Sequence, residues 1–212
     1  MSEDAGRTPR RYSSSRREQQ AAETRAAVLA AAVELFGERG WAGTGMRDVA
    51  RSAGVAVETV YANFRSKGDL LIAAVDVMVV GDDEPVALAD RPEFAALAVG
   101  DRAHRAAAAA RLLVGIQSRT AGVHQALREA AASDATLAAR LRDDEENRRS
   151  SVEQGLALVA GRPVTDRERD GLWAVLSMEV YRLLTDLAGW TAAQYEAWVA
   201  DLVLRQLDDT AP

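Results

Sequence analysis

The sequence predicts an all-α protein, and three of its features support that fold class. Apolar residues recur at helical spacing along most of the 212-residue chain, as they do in amphipathic helices. Glycines, prolines and N-capping residues separate these stretches from one another. No stretch shows the strict alternation of apolar and polar residues that marks a half-buried strand. We therefore expect about nine or ten helices.

The N-terminal part is expected to contain a polar arm followed by four helices. Residues 1–17 are polar, contain a run of three serines, and are expected to form a disordered basic arm. A helix follows from Arg17 to about Glu38, where apolar residues recur at i, i+4, i+7 and i+8, and Gly40 ends it. Shorter helices are expected at 44–53, 57–64 and 67–80, with Thr44 and Ser66 as N-caps of the first and the last.

The rest of the chain continues the helical pattern after an acidic loop at 81–92. Gly122 is expected to separate two helices, because glycine weakens a helix interior. N-caps are expected at Asp134, Thr165 and Thr191. The expected helices are 93–99, 102–120, 123–132, 134–160, 165–188 and 191–208.

Composition excludes several classes of protein. The chain has no cysteine, so disulfides, cysteine-zinc sites and cysteine nucleophiles are excluded. No apolar stretch approaches the ~18 residues of a membrane span, and the N-terminus lacks the apolar segment of a secretory signal, so we expect a cytoplasmic protein that does not engage a membrane. The net charge of −6 is unevenly divided: residues 1–68 hold 11 Lys or Arg against 8 Asp or Glu, and residues 69–212 hold 15 against 24. This division predicts a basic N-terminal module on an acidic body.

Residues 44–64 have the spacing of a helix-turn-helix. Two short helices that cross closely need a small residue at the crossing, which Ala50 provides. The turn four residues later favours a left-handed backbone, which Gly54 adopts without steric cost. The second helix must bury an apolar residue against the first, and Val60 stands where that residue is needed. An ordinary helical hairpin without a DNA role is the alternative that this spacing leaves open.

Residues 31–71 resemble the N-terminal DNA-binding domain of the tetracycline-repressor (TetR) family. The matching residues are Leu35-Phe36, Gly40, Thr44, Val49-Ala50, Ala53-Gly54-Val55, Thr59-Val60-Tyr61, Phe64, Lys67 and Leu70-Leu71. The resemblance implies a homodimeric repressor that binds a palindromic operator in double-stranded DNA and is released by a small-molecule inducer. Glu58 and Asn63 depart from the family pattern, in which Gly or Pro and His are common, and this leaves the operator sequence open.

The domain organisation that the resemblance implies has three parts. The arm covers 1–17, the helix-turn-helix domain 18–66, and a helical ligand-binding and dimerisation domain 67–212, with helix 67–80 linking the last two. No cofactor is expected.

The residues expected at the DNA lie in and around helix 57–64. Tyr61 and Thr59 carry hydroxyls that can bond phosphates, as can Arg47 in the preceding helix. Lys67, the only lysine of the chain, begins the fourth helix, where the helix dipole already favours an anion. The full set is Thr44, Arg47, Val57, Glu58, Thr59, Tyr61, Ala62, Asn63 and Lys67.

Base recognition by this set is expected to be sparse. Val57 and Ala62 can contact thymine methyl groups, Glu58 can accept from cytosine and Asn63 can pair with adenine, but the helix has no Arg or Lys for guanine. Discrimination is therefore expected to depend also on DNA shape and on the arm. The arm's Arg10, Arg11, Arg16 and Arg17 can follow phosphates or enter a minor groove, with a solubilising tail as the alternative.

The C-terminal helices are expected to pair two subunits. Residues 172–187 are apolar on more than one face, so their helix must be buried on more than one side. Three of the four tryptophans, Trp173, Trp190 and Trp198, lie between residues 172 and 208, and aromatic enrichment fits an isologous interface. A solely intramolecular core is the alternative. The expected interface residues, in a four-helix bundle made by helices 165–188 and 191–208 of both subunits, are Leu172, Leu176, Leu183, Leu187, Trp198 and Leu202.

An inducer pocket is expected between helices 67–80, 102–120, 134–160 and 165–188. Apolar walls with a few polar groups are typical of such a pocket. Its expected lining is Met78, Leu113, Gln117, Trp173, Ser177 and Tyr181, although each of these residues is also consistent with plain core. A ligand there would act by favouring one conformation over another.

Two other classes of protein are weighed against this interpretation. Asp101 and His104 stand at i, i+3, as in helical metal sites, but a metal-dependent enzyme of that kind needs a second such pair. Glu145 and Glu146 beside Arg148 and Arg149 are expected to form a solvated ion-pair face. No phosphate-binding loop, dinucleotide fingerprint or nucleophile elbow occurs, so we expect no enzyme. A helical adaptor that binds only protein would keep the dimer and show no salt-dependent DNA affinity.

Overall fold

The computed structural model describes residues 11–80, 88 and 91–207, and within these residues the chain forms helices and no strand. The all-α fold class is thereby confirmed. A 3-10 turn at Ala96–Ala98 follows α5, and a π-helical turn at Leu183–Leu187 follows α9. None of the described helices is both long and apolar enough to span a membrane. The α-helices are α1 (Arg11–Arg39), α2 (Met46–Ser52), α3 (Val57–Asn63), α4 (Lys67–Val80), α5 (Pro92–Ala95), α6 (Arg102–Ala131), α7 (Ala135–Ala160), α8 (Asp166–Val175), α9 (Met178–Arg182) and α10 (Ala192–Gln206).

Four predicted N-caps begin their helices as expected. Asp134 accepts hydrogen bonds from two backbone N–H groups in the first turn of α7, at 2.8 and 3.1 Å. Thr165 and Thr191 each form a capping box at the start of α8 and α10. Ser66 accepts a backbone N–H of α4 at 3.0 Å. Because a cap satisfies donors that have no partner inside the helix, these side chains determine where the helices begin.

Helix α1 begins at Arg11 rather than at Arg17. Residues 11–17, which we expect in the disordered arm, are therefore helical, and residues 1–10 lie outside the described residues. Serine is only a weak helix breaker, so the serine run does not stop a helix whose following residues are strong helix formers.

Gly122 lies within a helix and does not separate two of them. Helix α6 continues from Arg102 to Ala131 across the predicted break. A Cβ at position 122 would lie 2.7 Å from the Cα of Gly37 in α1. The glycine is therefore required where α1 and α6 cross. Its cost to the helix, about 1 kcal/mol relative to alanine, is offset by this close packing.

The helix predicted over 165–188 is interrupted. Helix α8 ends at Val175, and Ser177 caps α9 by accepting one of its backbone N–H groups at 3.4 Å. The carbonyls of Leu176 and Ser177 at the break accept hydrogen bonds from the Gln117 side chain at 3.0 and 3.3 Å. The interruption changes which residues of this stretch face the core.

Two hydrophobic clusters form the core, and α6 takes part in both. The first lies between α1, α2, α3, α4 and the second half of α6, and includes Phe36, Val60 and Leu127. The second lies between the first half of α6 and helices α7 to α10, and includes Leu156 and Tyr195. Helix α6 thus runs from one cluster into the other, and so does α7, which places Leu137 in the first cluster and Leu156 in the second.

Candidate nucleic-acid interface and cavity

The helix-turn-helix forms as its spacing predicts. In the turn between α2 and α3, Gly54 has a φ of +68° and the backbone N–H of Val55 donates to the carbonyl of Ala50 at 3.0 Å. A left-handed φ strains any residue with a Cβ, so glycine suits this position. Ala50 and Val60 are both buried in the first cluster. The roles predicted for Ala50, Gly54 and Val60 are confirmed.

Helix α3 presents a surface without basic residues to solvent. Tyr61 is 52% exposed, which is unusual for so large a ring and places its hydroxyl within reach of a partner. The Asn63 amide donates to the carbonyl of Thr59 at 2.8 Å, so pairing with adenine requires this bond to break. The exposed residues of the helix are Glu58, Tyr61 and Ala62, and the half-buried ones are Val57, Thr59 and Asn63.

Two predicted contacts that precede α3 differ in accessibility. Arg47 is exposed in the first turn of α2. Thr44 is buried, and its hydroxyl lies 2.9 Å from the carbonyl oxygens of both Leu35 and Gly40, so it ties the loop before α2 to the end of α1. Thr44 is not the N-cap of α2, because Gly45 occupies that position.

Lys67 joins the start of α4 to the loop after α1. Its ammonium donates to the backbone carbonyl of Trp41 and lies 4.0 Å from the centroid of the Trp41 ring. Burial lowers the pKa of Lys67. The Trp41 backbone N–H donates in turn to Glu129 of α6 at 2.9 Å. A phosphate contact by Lys67 stays a prediction, and it would use N–H donors that the Trp41 carbonyl does not occupy.

Sequence reasoning misses two arginines beside α3. Arg51 at the end of α2 and Arg65 in the loop after α3 are both exposed. Arg51 also contacts the Asp48 carboxylate at 3.2 Å. Their positions next to the two ends of the recognition helix are the signal that identifies them as candidates for phosphate contacts.

A cavity of about 410 Å³ lies beside the second half of α4 and the middle of α6. Its volume is within the range of small-molecule sites. Helices α7, α9 and α10 contribute the rest of its wall, together with Phe94 and Leu97, and most of the wall is apolar. Three of the six residues expected in a pocket line it: Met78, Leu113 and Gln117.

Trp173, Ser177 and Tyr181 do not line this cavity. The Trp173 ring packs under the Arg148 guanidinium, 5.1 Å from its centroid. Ser177 caps α9, and the Tyr181 ring packs edge-on against Tyr195 with centroids 5.1 Å apart. The prediction assumed one unbroken helix over 165–188, and the break at Ser177 redirects the side chains on both sides of it.

One wall of the cavity is polar and is supplied largely by α7. Arg140 spans two carboxylates, Asp76 at 2.5 Å and Asp144 at 2.7 Å. Arg148 pairs with Glu145 at 2.8 Å and donates to a backbone carbonyl of α8 at 2.9 Å. The prediction that Glu145 and Arg148 form part of a solvated face is wrong, because both are half-buried and line the cavity.

His124 of α6 completes this wall. Its Nε2 atom lies 3.9 Å from Oε1 of Glu145. Burial lowers the pKa of His124, with Glu145 acting in the opposite direction. Burial likewise raises the pKa of Asp144, against the effect of Arg140. Glu145 and Asp144 lie on α7 and His124 lies on α6, so the sequence around His124 could not predict that they are neighbours.

Two buried acceptor atoms in the wall have no hydrogen-bond partner within the described residues: Oε1 of Gln117 and Oδ2 of Asp144. Gln117 is only 2% exposed. Its Nε2 donates to the carbonyls of Leu176 and Ser177, which defines the orientation of the amide. Buried polar atoms normally have a hydrogen-bond partner, so these two acceptors are the polar atoms of the wall whose hydrogen bonding is unsatisfied.

The residues expected at the dimer interface divide into two groups. Leu172 and Leu176 are buried in the second cluster of the chain itself, which leaves little of their surface for a second copy. Leu183 and Leu187 lie on the surface, with Leu187 80% exposed, and Val175 adds a further exposed apolar side chain. Trp198 and Leu202 are half-buried on α10.

Asp101 and His104 are accounted for by helix capping. Asp101 is the N-cap of α6 and accepts the backbone N–H of His104 at 2.8 Å. Across the part of the chain that the structure describes, no group of three or more His, Asp or Glu side chains is placed to hold a metal ion.

Comparison with known proteins places the N-terminal helices in a family. Residues 28–74 match the family model described as bacterial regulatory proteins, tetR family. A protein of Bacillus subtilis (strain 168), described as the uncharacterized HTH-type transcriptional regulator YezE, is 36% identical over 61 residues, or 29% of this chain. The match spans 31% of that relative's length.

Solved structures match nearly the whole chain in fold. A transcriptional regulator from Rhodococcus sp. Rha1 has a TM-score of 0.64 at 22% identity, over 89% of this chain and 99% of the other. A TetR family member from Streptomyces coelicolor A3 has a TM-score of 0.60 at 22% identity, over 87% and 98%. The multidrug binding protein EbrR complexed with imidazole has a TM-score of 0.56 at 22% identity, over 88% and 96%. At these identities the likeness concerns the fold.

Proposed function

This chain belongs to the tetR family of bacterial regulatory proteins, and on that premise we propose that it is a ligand-responsive transcriptional repressor. As a homodimer it binds a palindromic operator in double-stranded DNA, and a small-molecule inducer releases it. The family is one of regulators rather than enzymes.

The observation that carries the proposal is the way α3 is held. The turn at Gly54 and the buried Val60 leave the opposite face of α3, with Tyr61, exposed to a duplex. Arg47 stands on the neighbouring helix as an exposed cation. A short helix held so that one face is free is the arrangement that enters a major groove, with phosphate contacts from the residues around it.

Two copies of the chain pair through the exposed apolar residues after α8. Leu183 and Leu187, together with Trp198 and Leu202 of α10, form a surface that a second copy would cover. A dimer carries two α3 helices, which bind two half-sites about one helical turn of DNA apart.

The cavity is the proposed inducer site. Met78, Leu113 and Gln117 line it, and a solved relative of the same fold is described as a multidrug binding protein. Helix α4 reaches both the cavity and the helix-turn-helix domain, which we assign to 18–66, the remainder of the helices forming the ligand-binding and dimerisation domain at 67–212. The proposed site of action is the cytoplasm, where the DNA is.

Selection from a pool of random DNA duplexes tests the proposal. The full chain should enrich a palindromic sequence, and fluorescence anisotropy should show affinity that falls with salt. Failure to enrich any sequence, with no salt-dependent affinity, would support the protein-binding adaptor instead.

Arg47→Ala probes the orientation of the domain on the duplex. Losing one phosphate contact should lower affinity for every sequence alike and reduce the slope of log affinity against log salt by about 0.9. Arg142→Ala, which removes the same charge from an exposed position on α7, is the matched control and should leave the slope unchanged.

A further inference from the structure

The two arginines of the cavity's polar wall donate hydrogen bonds within the protein, and two acceptor atoms of the same wall have no partner in the described part of the chain. The Nε of Arg140 donates to Asp144 and its Nη2 to Asp76. Arg148 donates to Glu145 and to a backbone carbonyl. The hydroxyl of Thr120 donates to the carbonyl of its own helix at 2.8 Å. The Oδ2 atom of Asp144 and the Oε1 atom of Gln117 remain without partners within the described residues.

The charges of the wall favour a cation over an anion. Three carboxylates, Asp76, Asp144 and Glu145, face two guanidinium groups, Arg140 and Arg148. Burial lowers the pKa of His124, so the imidazole adds no positive charge at neutral pH. Arg140 is shared between Asp76 and Asp144, so these two carboxylates have one cation between them. The remainder of the wall is mostly apolar, so the excess negative charge is poorly solvated and gains from a cationic partner.

We propose that the cavity binds an apolar cation whose head group donates hydrogen bonds, such as a protonated alkylamine, with Asp144 as the residue that receives the ammonium. The inference rests on the proposed function only in treating the cavity as the inducer site. An alkyl carboxylate fits the same apolar walls but brings a further negative charge to a wall that holds three carboxylates against two guanidinium groups.

Isothermal titration calorimetry with two probes of equal chain length tests the proposal. Octylamine and octanoate, both at pH 7 and below their critical micelle concentrations, differ only in the head group. Octylamine should bind at least about tenfold more tightly, which is the expected value of a hydrogen bond to a charged group. Octanoate binding as tightly as octylamine, or no binding of octylamine, would overturn the assignment.

A pair of variants locates the contact. Asp144→Asn keeps the shape of the side chain and removes its charge, and should weaken octylamine about tenfold while leaving octanoate unchanged or improved. Asp143→Asn makes the same change at an exposed neighbour on α7 and should bind octylamine like the wild type. Equal affinities in the two variants would refute the role of Asp144. If Asp144→Asn does not fold, as judged by its circular dichroism, Asp144→Glu takes its place and should retain the preference for the amine.

DNA selection distinguishes a failure of this inference from a failure of the proposed function. A chain that enriches an operator but prefers octanoate is a regulator with a different ligand class. A chain that binds octylamine through Asp144 yet enriches no DNA keeps the cavity assignment and loses the regulatory one.

Discussion

Replacing Gly122 by alanine tests the crossing of α1 and α6 on which the fold depends. The added Cβ would lie 2.7 Å from the Cα and 2.9 Å from the carbonyl oxygen of Gly37, whereas ordinary contacts begin at 3.4 Å. Both obstructing atoms are backbone, so a whole helix must move to make room. Overpacking of this kind costs about 1–3 kcal/mol, and alanine returns about 1 kcal/mol of helix propensity. Because no flexible side chain can yield, we take the upper end of that cost and expect a net loss of about 2 kcal/mol.

Two other helical glycines, Gly37 in the last turn of α1 and Gly171 within α8, are the controls. A Cβ at Gly37 or at Gly171 has nothing within 4 Å, so Gly37→Ala and Gly171→Ala should each raise the free energy of unfolding by about 1 kcal/mol. Urea unfolding followed by circular dichroism measures all three, at one protein concentration because the unfolding of a dimer depends on it. A Gly122→Ala protein as stable as the wild type, or a Gly37→Ala protein as destabilised as Gly122→Ala, would refute the proposed close crossing.

Three further changes have expected outcomes. Tyr61→Phe should weaken binding to all DNA sequences by a similar factor in anisotropy titrations, worth about 1 kcal/mol, and a loss confined to the operator would contradict a phosphate contact. Leu187→Glu should convert dimers to monomers, as measured by light scattering. Val99→Glu, at another apolar residue that is 69% exposed, should leave the dimer intact. If the Leu187→Glu protein remains a dimer, the interface through Leu187 is excluded. Hydrogen bonds from Arg162 hold the pKa of Glu168 at about 2, below that of the unfolded chain. The contribution of the ionised Glu168 to stability is therefore present above about pH 5 and lost as the pH falls towards 2. The urea midpoint should fall over that range in the wild type and fall less in Glu168→Gln. An unchanged pH profile in the variant would show that the Arg162–Glu168 pair does not contribute.

The elements predictable from the sequence are those determined by short-range chemistry. A threonine or aspartate that accepts N–H groups two or three residues on carries its own evidence, and Asp134, Thr165 and Thr191 begin their helices as expected. The turn at Gly54 is similar, because its backbone conformation restricts the residue that can stand there.

The features that sequence reasoning misses depend on partners from distant elements. Gly122 has the composition of a helix breaker, and only its neighbour Gly37 on another helix explains why α6 continues through it. Ser177 interrupts the helix over 165–188 where the freed carbonyls meet the side chain of Gln117, which lies on α6. Local pattern favours one continuous helix there, and a long-range hydrogen bond outweighs it.

The candidate sites also contain some residues that local spacing predicts and others that depend on distant elements. Residues on the surface of α3 could be named in advance because a helical face follows from spacing alone. The polar wall of the cavity could not, because Glu145 and Arg148 have the pattern of a solvated ion pair on a single helix. Only the packing of α7 against α6 places that pair beside His124. Burial changes the electrostatics of the Glu145–Arg148 pair, because a charge that is removed from water requires a partner within the protein or in a ligand.

Helix α6 connects these two sites physically. Gln117 and His124 lie in the cavity wall, and Gly122, which stands between them along the helix, packs directly on the backbone of α1. Further along, Glu129 accepts the backbone N–H of Trp41, whose carbonyl receives the ammonium of Lys67 at the start of α4. We therefore expect a displacement of α6 by a molecule in the cavity to reach α1 through a contact with no flexible side chain, and to reach α4 through two hydrogen bonds. The sequence predicts α4 as the link between the domains, and we propose that α6, a longer and unbroken helix, shares that role.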